Sequence, residues 1–462
     1  MERIVWNKTP FYRLMAAMLL GVGTSIAPLV LLMFGLIQFK IMSIVGPDAV
    51  TSSFGMAAGI ASIAIVVLSP LGGMIADKTH VRFGRRRFWM IAGSIGGFAC
   101  MMGLAYATSM ASLIFFWCIA QFFYGLVSLS CYAMIPEQVE QSRFGRASGL
   151  VSAAAPIFVM TGSILMGVYA DTPVDLKIAV VCAVQLACGI AAALMVRDTY
   201  IDPALLPKKD DGVNPFKTGL RNFYPSFKKY PSYTWALLTK LFINFSNAGL
   251  TMLTLFYVAR FRLSEAEVFQ IGSYTGASIL LMVIAGVAGG WLSDHFQKQK
   301  PFVMGASLIT GVCLIFFAFS YNIWSVVVGY FIFNFGFGLY NAVDNALVNR
   351  ILPSKENAGK DIAIMNITTN LASSLVNFVA PAIIALGVSV MGDDGYTLFF
   401  ILLSFCSVAS FLAVIPIPEV GKAPFARALD ESDEHEPVQA ASQVNEELSD
   451  RHMSQCVELK KA

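Results

Sequence analysis

The sequence predicts an all-α membrane protein in which twelve transmembrane helices form two six-helix repeats. Three observations predict it. Only 13% of the 462 residues are charged, against 56% hydrophobic. Twelve apolar stretches are each long enough to cross a bilayer. Landmarks in the first half of the chain recur 217 residues later.

Composition acts first by exclusion. A net charge of +3 and a mean hydropathy of +0.67 leave too little charge to cover a water-facing surface of this size. A soluble enzyme, a nucleic-acid binder, a collagen-like fibre and a wholly disordered chain therefore all recede. The expected partners are the lipid bilayer and a small solute, not nucleic acid. Eight cysteines fall mostly inside apolar runs without CxxC spacing, so they read as small hydrophobes. The sequence has no HExxH, P-loop, GxSxG or strand-borne GxGxxG. That leaves an enzyme without a catalytic group and predicts no metal site and no cofactor.

A span needs about 20 apolar residues to cross about 30 Å of hydrocarbon. The spans are expected at 14–39, 54–76, 88–107, 111–135, 147–170, 177–196, 233–259, 269–293, 301–320, 324–349, 362–390 and 396–416. The first is too long for a signal-peptide core and lacks a cleavage pattern, so it reads as retained. With the N-terminus inside, the segments on that side hold 27 of the 32 Lys and Arg. The outer loops hold only Lys40, Lys177, Arg260 and Arg262. This positive-inside bias places both termini in the cytosol, as in a multi-pass protein of a bacterial inner membrane. The connection 197–232, rich in Pro, Lys and Asp, separates an N-terminal half (1–196) from a C-terminal half (233–416). The tail 417–462, with ten acidic and five basic residues, reads as disordered.

The repeat rests on two landmarks. Gly72, Gly73 and Asp77 in GGMIAD recur as Gly289, Gly290 and Asp294 in GGWLSD, and Pro136 recurs as Pro353, all at an offset of 217. Two such halves around a midplane cavity suit an alternating-access carrier. The stretch Gly73 to Arg87, GMIADKTHVRFGRRR, resembles the loop between the second and third spans of the major facilitator superfamily. It has the longer form found in sucrose-type and glycoside-pentoside-hexuronide sugar:cation symporters. Ala342 to Ile367 resembles the tenth and eleventh spans of carriers related to that group. The resemblance implies the superfamily's fold up to about Pro418, and a transporter that takes up a sugar or glycoside.

Asp77 falls at a helix C-terminus, where the dipole disfavours a carboxylate unless a cation compensates. Arg85, Arg86 and Arg87 follow closely. The resemblance implies a cytosolic gate made by these four residues, latched when the carrier opens outward. Asp294 is the second-half counterpart, weakened because Gln297 replaces the glycine and only Lys298 and Lys300 follow. The alternative is that the arginines merely hold topology and touch anionic headgroups.

Away from their ends, the spans contain two charges, Lys240 and Asp344. Each costs about 2.5–3.5 kcal/mol at the bilayer centre on insertion scales, so each needs a partner or a wet cavity. Counting residues from the cytosolic side puts them at about 13 Å and about 9 Å depth; the resemblance further implies that the seventh and tenth spans line the cavity, with a basic residue and an Asp at matching positions, and together these predict a pair or a water-bridged near-pair. Two roles compete for it: Asp344 taking up a proton when solute displaces Lys240, or a fixed bridge aligning two helices. The first six spans carry no internal carboxylate for a sodium site. Sodium coupling of that kind is therefore not expected; a proton taken up by Asp344 is the expected coupling ion, and an uncoupled facilitator stays open.

Polar stripes supply candidate solute contacts. Lys240, Asn244, Asn247 and Thr251 share one helical face of the seventh span; Asn341 and Asn345 lie on the tenth, with Tyr340 and Asp344 flanking. Gln121, Tyr124 and Ser128 lie on the fourth. Hydrogen bonding between helices uses the same residue types and is the competing reading. The function expected is proton-coupled sugar or glycoside uptake. The alternatives are an exporter or uncoupled facilitator of a modified sugar, nucleoside or amphipathic compound, and a non-transporting membrane sensor.

Overall fold

The computed structural model describes residues 9–79, 81, 84–139, 143–198, 231–296, 298–351 and 358–417. The connection 199–230 and the tail from 418 lie outside the described residues. Among the described residues, twelve helices are long and apolar enough to cross a membrane. They are α1 (Phe11–Val45), α2 (Val50–Lys78), α3 (Arg85–Ala105), α4 (Met110–Gln138), α5 (Phe144–Val168), α6 (Val174–Met195), α7 (Pro231–Phe261), α8 (Glu265–Phe296), α9 (Lys300–Ala318), α10 (Ile323–Ile351), α11 (Ala358–Met391) and α12 (Tyr396–Val414).

Local chemistry sets many of these ends. Ser109 accepts a hydrogen bond from the Ser112 amide and starts α4. Pro10 and Pro173 stand immediately before α1 and α6, where a missing N–H costs nothing. Gly46 stops α1 at φ 82°, a conformation that an L side chain resists. Large apolar side chains such as Val287, Val390 and Phe405 point outward, which is the surface a bilayer solvates.

The packing repeats with the sequence. Helix α1 lies against α5 as α7 lies against α11, and α3 pairs with α6 as α9 pairs with α12. The first six helices meet the last six along two seams, α2 on α11 and α5 on α8. The end at which α1 begins gathers the clustered Lys and Arg and is termed the basic end; the other is the far end.

The first and seventh spans are interrupted helices, and one expectation needs correction. Helix α1 breaks at Leu32–Leu36, where Phe34 and Gly35 leave helical geometry and Gly35 reaches φ 115°. Helix α7 tightens to a 3₁₀ turn at Leu250–Met252. Lys40, Lys177 and Arg260, expected in outer loops, belong instead to the far ends of α1, α6 and α7. Each is buried against a carboxylate: Lys40 on Asp175 at 3.0 Å, Lys177 near Glu265 at 3.8 Å, and Arg260 on Asp394 at 2.6 Å. Paired in this way, each cation sits within a helix instead of in a water-exposed loop.

Candidate transport site

Helices α7 and α10 bring Lys240 and Asp344 together. The Lys240 ammonium lies 3.5 Å from Asp344 Oδ2, with side-chain exposures of 12% and 2%. The Tyr340 hydroxyl donates to Asp344 Oδ1 at 3.1 Å from one turn earlier on α10. Asp344 thus holds a cation on one oxygen and a phenol on the other, which satisfies a charge that could not stand alone in hydrocarbon. Behind the pair runs a ladder of buried hydroxyls: Ser410 donates to the Thr239 carbonyl at 3.0 Å, and Ser407 lies 2.8 Å from Ser246 Oγ.

A cavity of about 230 Å³ lies between the two helix breaks. Met33 and Phe34 wall it on one side, Leu250 and Thr251 on the other, with Asn247, Thr254, Tyr257, Thr275 and Tyr330 adding polar groups. The breaks themselves are repeat-related, since adding 217 to Met33 and Gly35 gives Leu250 and Met252. Gln38 joins them. Its carboxamide nitrogen donates to the Met33 carbonyl at 3.2 Å and to the Thr251 carbonyl at 3.1 Å. The Thr251 hydroxyl lies 2.9 Å from Asn377 Oδ1, which extends the chain to α11.

The far-end seams follow the same repeat. Gly55 and Gly59 on α2 face α11, and on α8 Gly276 faces α5 while Gly272 opens onto the 230 Å³ cavity; the two GxxxG pairs are 217 residues apart. Ser374 on α11 donates to the Gly59 carbonyl at 3.1 Å, and Ser163 on α5 donates to the Gly272 carbonyl at 2.7 Å. Small residues let backbones approach closely enough for these hydroxyl bonds. Sequence reasoning missed both Gly pairs and Gln38, although the offset of 217 already carried the glycines.

The expected solute contacts divide. Asn247 lines the 230 Å³ cavity, and Gln121 lines a smaller one of about 160 Å³ among α1, α2 and α4. Asn341 is half-buried on α10. Asn244 is buried and spends its amide on the Lys240 carbonyl at 2.7 Å, and Ser128 donates to the Gly125 carbonyl at 3.0 Å. Two readings change. Tyr124 is 1% exposed and packs on Gly97 of α3, so its ring fills the first-half core rather than facing solute. Tyr340 is fully buried and gives its hydroxyl to Asp344, so it supports the ion pair from behind. The side chains of Asn345, Asp77 and Asp294 lie outside the described residues.

At the basic end the arginines find an acid that the sequence left unassigned. Glu137, the last-turn residue of α4, accepts from Arg85 and Arg86, both at 2.8 Å. Arg87 donates to the Ala193 carbonyl at 3.0 Å. Asp198 accepts from the backbone amides of Arg86 and Arg87 at 2.7 and 3.2 Å, capping the start of α3 from across the chain.

The model of the Major Facilitator Superfamily matches residues 13–377. The chain belongs to that superfamily. Members of this superfamily are transporters. Two sequence relatives are 26% identical. One is the lysophospholipid transporter LplT of Photorhabdus laumondii, aligned over 71% of this chain and 79% of its own. The other is the multi-drug resistance efflux pump PmrA of Streptococcus pneumoniae, aligned over 80% and 86%. Among solved structures, the nucleoside transporter NupG superposes with a TM-score of 0.67 at 13% identity, covering 87% of this chain and 99% of that one. A D-xylose-proton symporter gives 0.65 at 15% identity, covering 88% and 98%. These structural likenesses establish the fold. The sequence relatives do not single out the sugar:cation group.

Proposed function

We propose that the protein is a secondary active transporter of the plasma membrane, both termini cytosolic, that imports a sugar or glycoside with protons by alternating access. The buried Lys240 and Asp344 pair carries this reading. A carboxylate held by one ammonium and one phenol inside a membrane is poised to change partners, and a solute that draws Lys240 away leaves Asp344 to take a proton. Asn247, Asn341 and Gln121 are the amides that would bond solute hydroxyls. The basic end, with Arg85, Arg86, Arg87 and Glu137, is then the cytosolic gate, and the Gly-paired seams are the outer one.

A second reading, movement of an amphipathic compound, has its own support. A lateral groove of about 470 Å³ runs among α1, α5 and α6, walled by Phe158, Leu165, Met166, Val180 and Val184 and headed by Lys177. One of the sequence relatives is a lysophospholipid transporter. Counterflow into proteoliposomes decides between the two. A panel of labelled mono- and disaccharides, a nucleoside and a lysophospholipid is offered at two pH values. Exchange of a saccharide that accelerates with an inward proton gradient is the expected result; exchange of lysophospholipid alone moves the assignment to the second reading.

A further inference from the structure

We propose that Gln38 is the positioning residue that holds the far end shut, by stapling the two helix breaks to each other above the 230 Å³ cavity. The inference rests on the alternating-access reading, and its geometry stands independently of which solute is carried.

A helix break frees carbonyls that a continuous helix would have paired, and inside a membrane such groups must be satisfied by another donor. Gln38 is fully buried, and its one NH₂ group serves a carbonyl in each break, Met33 in α1 and Thr251 in α7. Among the described residues, no other side chain of α1 bonds to the backbone of α7. The bond to Thr251 crosses between the first and last six helices, so parting the far end must break it. Its Oε1, by contrast, is buried with no hydrogen-bond partner. Gln38 therefore gives both protons and receives nothing, which leaves the staple weaker than a fully satisfied amide and easier to open.

Position gives the staple a link to cargo. Thr251 lines the cavity, its carbonyl is held by Gln38, and its hydroxyl faces Asn377 on α11. A solute resting against Thr251 acts on the residue at which α1, α7 and α11 are joined. The Gly-paired seams on either side provide close packing, whereas Gln38 adds a directional bond that exists only when the two breaks are in register. Gln38 has no partner of the same type at its repeat position, because residue 255 is leucine. One staple thus serves both breaks.

Hydrogen-exchange mass spectrometry on the purified full chain tests this, comparing the native protein with Gln38→Leu and with Gln38→Asn, whose shorter amide cannot reach both carbonyls. In Gln38→Leu, exchange is expected to rise at least about five-fold across 36–45, 50–60, 250–261 and 374–390, which corresponds to losing one ordinary buried hydrogen bond. Peptides at the basic end, 13–25 and 150–156, are expected to exchange more slowly, because opening one end closes the other. Gln38→Asn should fall between the two and keeps the test available if the leucine variant does not fold. A rise spread evenly over all twelve helices, or no rise at the far end, overturns the proposal. Should the native protein carry no solute into vesicles, the transport reading fails while the exchange comparison still judges the staple.

Discussion

The Tyr340 hydroxyl and Asp344 Oδ1 are 3.1 Å apart, four residues along α10 and both buried. A phenol donating to a carboxylate makes a charge-assisted bond, and such bonds contribute about 1.5–3 kcal/mol when buried. Tyr340→Phe keeps the ring and removes only that donor. The variant is expected to unfold in detergent at lower temperature by an amount matching that loss, while solute exchange continues. If its stability equals that of the native protein, Tyr340 is packing and Asp344 relies on Lys240 alone.

Asp344 itself separates coupling from scaffolding. Asp344→Asn keeps the shape and the Tyr340 contact but cannot carry a proton. Under the proposed mechanism, counterflow persists within a few-fold of native while uphill accumulation disappears. Removing one partner of a buried pair also strands Lys240, at a cost of about 3–5 kcal/mol. The measurement therefore pairs Asp344→Asn with Lys240→Gln/Asp344→Asn, which removes both charges. Accumulation that survives in the double variant would show the pair to be a fixed bridge.

Much of this arrangement was legible in the sequence because membrane insertion makes errors costly. Twelve spans follow from hydrophobic length, and Lys240 and Asp344 were found as charges with nowhere else to go. The helix breaks were not legible. Nothing in the run Leu29 to Ile37 departs from an apolar helix except Gly35, and glycine is common in membrane helices for close packing. The acid opposite Arg85 and Arg86 was missed for a different reason. Asp77 is nearer in sequence, but Glu137 ends a helix that folds back beside α3, and only tertiary packing reveals that neighbour. Tyr124 and Tyr340 were misplaced because a polar stripe gives the face of a helix without saying which of its neighbours occupies that face.

The seam glycines yield a sharper test than the polar contacts. A Cβ on Gly55 would meet the Asn377 carbonyl at 2.5 Å and Pro381 Cγ at 2.6 Å, atoms with little freedom to move. A Cβ on Gly305 of α9, which lies away from both seams, meets nothing within 4 Å. Gly55→Val is therefore expected to hold α2 off α11 and abolish transport, with the rest of the first six helices undisturbed. Gly305→Ala should cost far less. Equal activity in the two variants would contradict close approach at the α2 and α11 seam. The readout is initial uptake rate normalised to folded protein by size-exclusion chromatography.

Arg260 supports the far end from the second half and provides a prediction about stability rather than transport. Its Nε and Nη2 donate to the two oxygens of Asp394 at 2.6 Å each, Nη2 also reaches Thr397 at 2.7 Å, and Nη1 donates to the Ala318 carbonyl at 2.8 Å. The guanidinium lies over the Phe256 ring at 4.9 Å. This one side chain ties the end of α7 to the ends of α9 and α12, and every part of the contact uses the planar fork that lysine lacks. Arg260→Ala leaves Asp394 buried without its cation and is expected to cost about 3–5 kcal/mol. Arg260→Lys retains a point charge but only one of the directional bonds, so its cost should be smaller yet clearly measurable. Thermal unfolding in detergent can be followed with a thiol-reactive dye, because Cys313 on α9 is buried in the folded state. The expected order of midpoints is native, then Arg260→Lys, then Arg260→Ala. A lysine variant as stable as the native protein would mean that charge alone holds the clamp and that the bidentate geometry contributes nothing.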